Sequence, residues 1–194
     1  MPRPETLRHL EGLYSGTDDP WSHETSDYER AKHGETLRLC GSGPHRNALE
    51  IGCGNGVLAA ALAPRCTRLT VVECIPAAAA AARRRLAGFD HVAVVEGDAR
   101  TLPVSAPDLV VLSEMLYFLT PGEIATLAQA ISDGASPACR IVSVNWLGAT
   151  DEALGGQQAA DLLLRHLPDW TCQRHVRQGY LADVFDAPTT AADT

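Results

Sequence analysis

Short apolar runs alternate with helix-like segments along the middle of this chain. Five such runs predict strands near residues 47–51, 69–73, 91–95, 108–112 and 140–146. The segments between them predict helices near 57–63, 76–87 and 121–133. Strands that alternate with helices pair in parallel, and the helices then cover both faces of the sheet. The pattern therefore predicts an α/β core with a Rossmann-like, mostly parallel sheet.

The pattern changes after residue 150. A helix near 151–167 leads into two apolar runs, 170–176 and 179–185, which are joined by a turn around Gln178 and Gly179. Strands connected by so short a turn are antiparallel. We therefore expect a closing C-terminal antiparallel hairpin that completes a seven-stranded sheet. Residues 187–194 are small and polar and are expected to fray.

The most informative segment is 49–58, Leu-Glu-Ile-Gly-Cys-Gly-Asn-Gly-Val-Leu. It is typical of a buried strand that breaks into a glycine turn and then opens a helix. Glycine has no Cβ, so it reaches positive φ and lets a ligand approach the N–H groups at the helix start. Glu73 and Asp98 follow the next two apolar runs. Together these features predict a pocket for a nucleotide-like cofactor.

The glycine spacing alone leaves two cofactors open. A dinucleotide fold requires G-x-G-x-x-G/A and an acidic residue about 20 positions further on. When the motif is counted from Gly52, its third glycine position is occupied by Val57, which does not match the motif. When it is counted from Gly54, that position is Ala59, which matches. Asp98, after the third strand, stands where an adenine amino group needs an acceptor, which favours a methyl donor over a dinucleotide.

These motifs resemble the class I S-adenosylmethionine-dependent methyltransferases. The resemblance implies S-adenosylmethionine as the cofactor and S-adenosylhomocysteine as the product. It implies that Glu73 binds the ribose hydroxyls, and that Asp98 and the backbone N–H of Ala99 bind adenine. Glu50 would orient the turn or the amino group of the cofactor. The residues expected to bind the cofactor are Trp21, Tyr28, Glu50, Gly52, Gly54, Asn55, Gly56, Glu73, Cys74, Asp98, Ala99 and Ser113.

A second resemblance lies in the N-terminal region. Asp-Pro-Trp at 19–21, then Ser-x-Tyr-Glu-x-x-Lys at 26–32, and the segment 113–119 resemble the nodulation protein S family. Members of that family N-methylate the free amine of a deacetylated chitooligosaccharide. The likeness extends from about residue 10 to about 185 and implies an N-terminal helical cap over the cofactor. The chain departs from the wider class at 137–139, where Pro-Ala-Cys replaces Pro-Gly-Gly, and in the content of segment 145–150.

The resemblance also suggests catalytic candidates. Glu114 follows the fourth strand, at the edge where such sheets bind ligands, and would orient an acceptor amine and take its proton. Tyr117 would donate to the acceptor or line the wall. Trp146 and His175 are further candidates for the acceptor pocket, whereas no histidine is predicted to be the base. We expect in-line methyl transfer, to an amine in preference to a hydroxyl.

Composition narrows the class of partner. A chain of 194 residues with 45% hydrophobic content can form one domain, which we expect to comprise a cap over 1–46, a core over 47–186 and the tail. A net charge of −8 disfavours a nucleic-acid partner. The basic run 83–85 is interpreted as a solvated helix end. The expected partner is therefore a small-molecule acceptor.

The six cysteines form no C-x-x-C pair and no His-Cys cluster, so neither a metal site nor a disulfide framework is expected. The N-terminus has no apolar signal region and no segment approaches the length of a membrane span, so we expect a cytoplasmic protein with no membrane partner. Two alternative functions stay open at this point. One is a nicotinamide-dependent oxidoreductase, and the other is a catalytically silent module that binds S-adenosylmethionine.

Overall fold

The computed structural model describes residues 3–98 and 106–188. Its seven strands are β1 (Ala48–Ile51), β2 (Leu69–Glu73), β3 (Val92–Glu96), β4 (Leu109–Ser113), β5 (Arg140–Trp146), β6 (Thr171–Val176) and β7 (Tyr180–Asp186). They form one sheet in the order β3-β2-β1-β4-β5-β7-β6. The first five strands are parallel, and β7 is antiparallel to both β5 and β6. The predicted Rossmann-like sheet with its C-terminal antiparallel hairpin is confirmed.

The helices are α1 (Pro4–Gly16), α2 (Asp27–Cys40), α3 (Val57–Leu62), α4 (Pro76–Leu86), α5 (Pro121–Gly134) and α6 (Gly156–Arg165). Two short 3₁₀ helices, Ala63–Arg65 and Leu116–Phe118, follow α3 and β4. The predicted N-terminal helical cap corresponds to α1 and α2. Within 3–98 and 106–188, no helix is long and apolar enough to cross a membrane.

Helices pack against both faces of the sheet because its central strands are apolar on both sides. β4 has the sequence Leu-Val-Val-Leu-Ser, and its first four residues are buried, as expected for a parallel strand covered on two faces. On one face, α3 and α4 contribute Leu62 and Leu86 to the core. On the other, α5 and α6 contribute Leu127 and Leu163.

The strand order reverses around β1, which pairs with β2 on one side and with β4 on the other. In open α/β sheets such a reversal leaves a crevice at the carboxyl ends of the strands, where ligands bind. The turn after β1 is fixed there by the Gly52 N–H, which donates to the Val72 carbonyl at 2.8 Å. On the other side, the Glu114 N–H donates to the Val144 carbonyl at 2.7 Å. The topology thus brings the glycine turn and the end of β4 to one place.

The helix predicted at 151–167 was placed too early, because α6 begins only at Gly156. The preceding residues form a turn in which the Thr150 hydroxyl donates to the Leu154 carbonyl at 3.3 Å. The side chain of Gln158 then reaches back and accepts from the Gly155 N–H at 3.1 Å, which starts the helix.

Two expectations fall wholly or largely outside the described residues. Ala99, predicted to contact adenine, lies in the span 99–105, and most of the predicted tail lies in 189–194. At the start of that tail, the Ala187 N–H donates to the Cys139 carbonyl at 2.9 Å, so this residue is still held against the sheet.

Candidate active site

A cavity of about 520 Å³ lies at the carboxyl ends of β1, β2 and β4. The cap covers it, because α1, α2 and the segment between them contribute side chains to its wall. This volume is within the range of small-molecule sites. The predicted residues that line it are Trp21, Glu50, Gly52, Gly54, Glu73, Cys74, Asp98, Ser113, Glu114, Tyr117 and Trp146.

The glycine turn exposes bare backbone to this cavity. Gly52 and Gly54 have φ values of +75° and +53°, in the left-handed region that favours glycine. A Cβ on Gly52 would lie 2.8 Å from the Met115 Cβ, and a Cβ on Gly54 would lie 3.0 Å from the Tyr14 hydroxyl oxygen. Side chains from the loop after β4 and from the cap therefore approach these two glycines directly.

Two residues predicted for the cofactor site support the turn without lining the cavity. Gly56 faces α4, where its Cβ would lie 3.2 Å from Ala82, so it allows α3 and α4 to pack closely. The Asn55 side chain is buried and its Nδ2 donates to Asp19 Oδ1 at 3.1 Å. Asn55 therefore connects the turn to the segment between α1 and α2.

Two further candidates lie away from the cavity. The Tyr28 ring packs edge-on against Trp146 and Tyr180, with centroids 6.0 and 6.3 Å apart. His175 lies on β6, where its register partner is Ala182. Trp146 is the member of this group whose side chain lines the cavity.

Two buried carboxyl groups lie beside the glycine turn. Glu73 accepts from the Gly54 N–H and from the Ile75 N–H, both at 2.9 Å, which fixes its carboxyl group at the cavity wall. Burial raises the pKa of Glu73 although these backbone hydrogen bonds oppose it. Burial, with the nearby charge of Glu73, raises the pKa of Glu50 to about 8. Glu50 Oε2 is buried with no partner among the described residues, so this wall can still accept a donor from a ligand.

A second polar cluster lies on the β4 side of the cavity. Lys32 on α2 is 2% exposed, and its Nζ lies 2.8 Å from Glu29 Oε1 and 2.6 Å from Glu114 Oε2. A buried ammonium needs such partners, because its desolvation is costly. The second oxygen of the Glu114 carboxylate, Oε1, is buried with no partner among the described residues.

Backbone strain marks the same position. Glu114 has a φ of +55°, a conformation that non-glycine residues adopt rarely and that clusters at functional sites. Burial raises the pKa of Glu114, although the charge of Lys32 and its hydrogen bond oppose this effect. Burial likewise raises the pKa of Tyr117, and the charges of Glu114 and Glu29 add to it. Tyr117 therefore keeps its proton and can donate a hydrogen bond at the cavity wall.

Two histidines join the cluster. His23 Nε2 and His33 Nε2 lie 3.7 and 4.0 Å from Glu29 Oε2, and their ring centroids are 5.5 Å apart. Burial lowers the pKa of His33 to about 4. The charges of His23 and Lys32 contribute to this lowering, whereas those of Glu29 and Asp19 oppose it. His33 is therefore a neutral imidazole at neutral pH. Both histidines line the cavity.

Glu29, Lys32 and His33 were not among the predicted site residues, although the sequence contains a signal for them. With Thr36 they fall at positions i, i+3, i+4 and i+7 of α2, and all four are buried. Residues at this spacing share one face of a helix. A polar stripe at the positions where a helix normally carries apolar residues indicates a buried polar network.

The basic run at the end of α4 holds the cap. Arg84 Nη2 lies 2.6 Å from Asp18 Oδ2, and Arg85 pairs with Glu24. Arg85 Nε also donates to the Asn55 carbonyl at 2.9 Å. Instead of ending only in solvent, the run joins the cap segment to the glycine turn.

Comparison with known proteins agrees with this geometry. The chain matches the family profile described as "Nodulation protein S (NodS)" over residues 8–135. The curated Nodulation protein S of Sinorhizobium fredii is 36% identical over 125 residues, which are 63% of this chain and 57% of that protein. The Nodulation protein S of Rhizobium tropici is 38% identical over 118 residues, which are 60% of this chain and 49% of that protein. The chain thus spans about half the length of the curated relatives it matches.

A solved structure is similar over nearly its whole length. It is the N-methyltransferase NodS from Bradyrhizobium japonicum WM9 in complex with S-adenosyl-L-homocysteine. The TM-score is 0.84 with 28% sequence identity, and the match covers 94% of this chain and 98% of that chain.

Proposed function

This chain belongs to the nodulation protein S family, and on that premise we propose that it transfers a methyl group from S-adenosylmethionine to the nitrogen of a small-molecule amine. Two halves of the cavity support the proposal. The glycine turn suits the methyl donor, and the cluster around Glu114 suits the acceptor.

The donor half fits S-adenosylmethionine in its size and in its polar groups. Gly52 and Gly54 present backbone to the cavity at the start of α3, and Glu73 presents a fixed carboxyl group after β2. A carboxylate can accept from both hydroxyls of a ribose, because each of its two oxygens has two lone pairs. Asp98 lines the same cavity after β3, where we propose that it accepts from the adenine amino group.

The observation that supports the acceptor proposal is the hydrogen bonding of the two Glu114 carboxylate oxygens. One of its oxygens is held by Lys32 at 2.6 Å, and the other is buried at the cavity wall with no partner among the described residues. A buried acceptor without a donor is costly, so a substrate that supplies an N–H is stabilised there. An ammonium or amine supplies such donors.

The charge of the cluster favours the same class of acceptor. Glu29 and Glu114 are carboxylates, and Lys32 is the cation between them. Two carboxylates and one ammonium give these three side chains a formal charge of −1. A cationic amine would neutralise this negative charge in a buried site, whereas a neutral hydroxyl would not.

The chemistry requires the acceptor nitrogen to be neutral when it attacks. We propose that Glu114 takes one proton from the bound ammonium, which frees the nitrogen lone pair. When bound, S-adenosylmethionine supplies a methyl group on a sulfonium, and the sulfur keeps the electron pair of the broken C–S bond as the C–N bond forms. Tyr117 and Trp146 line the cavity and would hold the acceptor in line.

The acceptor class that we propose is an amino sugar or a related amine metabolite. The support is family membership, together with a cavity whose wall combines aromatic rings and hydrogen-bonding groups. The experiment is methyl transfer from methyl-labelled S-adenosylmethionine to a de-N-acetylated chitooligosaccharide. The fully N-acetylated oligosaccharide is the matched control, because it has the same sugar chain but its nitrogens are amides instead of free amines.

We expect label in the first oligosaccharide and none in the second. Calorimetric titration with S-adenosylmethionine, S-adenosylhomocysteine and NADH separates the alternatives. Binding of NADH alone would support the oxidoreductase and contradict the proposal. Binding of the first two ligands without transfer to any amine in a wider screen would support a silent binding module.

A further inference from the structure

The end of the cavity next to the glycine turn must accommodate a negatively charged group of the proposed methyl donor. The methionine part of S-adenosylmethionine carries a carboxylate, which needs hydrogen-bond donors when it is buried. The carboxyl group of Glu73 lies beside this turn and accepts from backbone N–H groups, so it is not suited to bind another carboxylate. Among the described residues that line the cavity, there is no lysine or arginine. Neutral donors must therefore contribute.

Tyr14 is placed to be such a donor. It lies on α1, it is 6% exposed, and its ring packs with Leu10, Ile75 and Ala78. The Trp21 ring meets it edge-on, with the centroids 5.6 Å apart. These contacts fix the ring and direct its hydroxyl group toward the glycine turn.

The hydroxyl of Tyr14 lies over Gly54. A Cβ built on that glycine would be 3.0 Å from the hydroxyl oxygen, so a ligand on the turn would meet the phenol at close range. Tyr14 lines the cavity, and its hydroxyl makes no hydrogen bond to another described residue. Burial raises the pKa of Tyr14, and the charges of Glu73 and Asp19 add to the effect. The phenol therefore remains protonated and able to donate.

We propose that the Tyr14 hydroxyl donates a hydrogen bond to the carboxylate of the methionine part of the methyl donor. Tyr14 is then a cofactor-binding residue that the cap contributes. Docking of α1 onto the core would complete the donor site, because the phenol reaches the glycine turn only when the cap is in place. This inference rests on the proposed function.

The test compares Tyr14→Phe with the wild type on three ligands by calorimetry. S-adenosylmethionine has the carboxylate, decarboxylated S-adenosylmethionine keeps the amine and the sulfonium, and 5′-methylthioadenosine has neither the amine nor the carboxylate. We expect Tyr14→Phe to weaken binding of S-adenosylmethionine about tenfold or more, as for a hydrogen bond to a charged group. It should leave the affinities for the other two ligands unchanged.

The control variant is Tyr180→Phe, which removes a hydroxyl from another buried tyrosine that does not line the cavity. It should bind all three ligands like the wild type. Retained binding of 5′-methylthioadenosine by Tyr14→Phe shows that the variant is folded. A wild type that prefers S-adenosylmethionine over its decarboxylated form supports recognition of the carboxylate without any variant.

Equal weakening of all three ligands by Tyr14→Phe would overturn the inference, as would full retention of affinity for S-adenosylmethionine. Either result leaves the proposed function intact, provided that the wild type binds S-adenosylmethionine. If the wild type binds none of the three ligands, the proposed function itself fails.

Discussion

Lys32 Nζ and Glu114 Oε2 lie 2.6 Å apart, although their residues are separated by 82 positions in the chain. The pair joins α2 of the cap to the loop that follows β4, and Glu114 lies at the wall of the cavity. An ammonium that is 2% exposed is tolerated here because Glu29 holds it from the other side at 2.8 Å. The pair therefore couples docking of the cap to the position of the proposed base.

Glu114→Gln tests the proposed base. The amide keeps the shape of the side chain but cannot take a proton, so we expect kcat to fall about 100-fold or more. Affinity for S-adenosylmethionine should be unchanged in calorimetry, because the donor half of the cavity is untouched. Glu96→Gln, an exposed carboxylate at the end of β3, is the control and should keep full activity. Unchanged turnover in Glu114→Gln would remove its catalytic role.

Lys32→Met tests the buried ion cluster. Removing the cation leaves Glu29 and Glu114 as uncompensated buried carboxylates, which we expect to cost about 3–5 kcal/mol of unfolding free energy in urea denaturation. Loss of Lys32 also raises the pKa of Glu114, because the lysine normally lowers it. The acidic limb of the kcat/KM profile should therefore move to higher pH.

The double variant Lys32→Met/Glu114→Gln completes this experiment. Glutamine carries no charge, so it should recover part of the stability that Lys32→Met loses. Additive losses in the double variant would mean that the two residues do not interact in solution.

Much of this fold could be predicted, because its strands and helices have distinct hydrophobic periods. The glycine turn between β1 and α3 was also predictable, since few other purposes require three glycines with positive φ at alternate positions. The start of α6 could not be predicted, because the sequence before Gly156 has a helical pattern. Side-chain hydrogen bonds of Thr150 and Gln158 determine where the helix begins.

The acceptor half of the site was only partly predictable. Glu114 was predicted from its position after β4, but its contact with Lys32 depends on how the cap docks on the sheet. No local spacing specifies that contact. The same holds for Tyr14, whose proposed role rests on its distance to Gly54 across the fold.

His33→Gln tests a pH-dependent contribution to stability. Burial lowers the pKa of His33 from 6.5 to about 4 in the folded protein. Between these values the unfolded chain binds more protons than the folded chain, so stability falls as the pH drops from about 6.5 toward 4. Glutamine does not titrate, and His33→Gln should show a shallower loss of unfolding free energy over this window. The measurement is urea denaturation at a series of pH values.

His166→Gln is the control for that series, because it removes an exposed imidazole just after α6. It should follow the wild-type curve. If His33→Gln loses stability on acidification as steeply as the wild type, the imidazole is not held neutral by burial.

Asp98→Ala and Glu73→Ala test the donor half. Each should weaken S-adenosylmethionine binding by about 1–3 kcal/mol through the loss of hydrogen bonds. The two variants should differ in stability without ligand. Glu73→Ala also leaves the Gly54 and Ile75 N–H groups without their acceptor, so its melting temperature should fall. Wild-type affinity in both variants would contradict the assignment of the donor site.

Gly52→Ala tests whether a change in the donor half of the site displaces residues in the acceptor half. At a φ of +75° an alanine is strained by about 1–2 kcal/mol. Its Cβ would also lie 2.8 Å from the Met115 Cβ, so one of the two backbones must move. Met115 directly follows Glu114, and the shift should therefore displace the proposed base.

We accordingly expect Gly52→Ala to lower both the affinity for S-adenosylmethionine and kcat, although the substitution lies in the donor half. Gly122→Ala is the matched control, because a Cβ there meets nothing within 4 Å. Calorimetry and steady-state kinetics on both variants separate the effects. A Gly52→Ala protein that loses affinity but keeps the wild-type kcat would show that the turn and the end of β4 act independently.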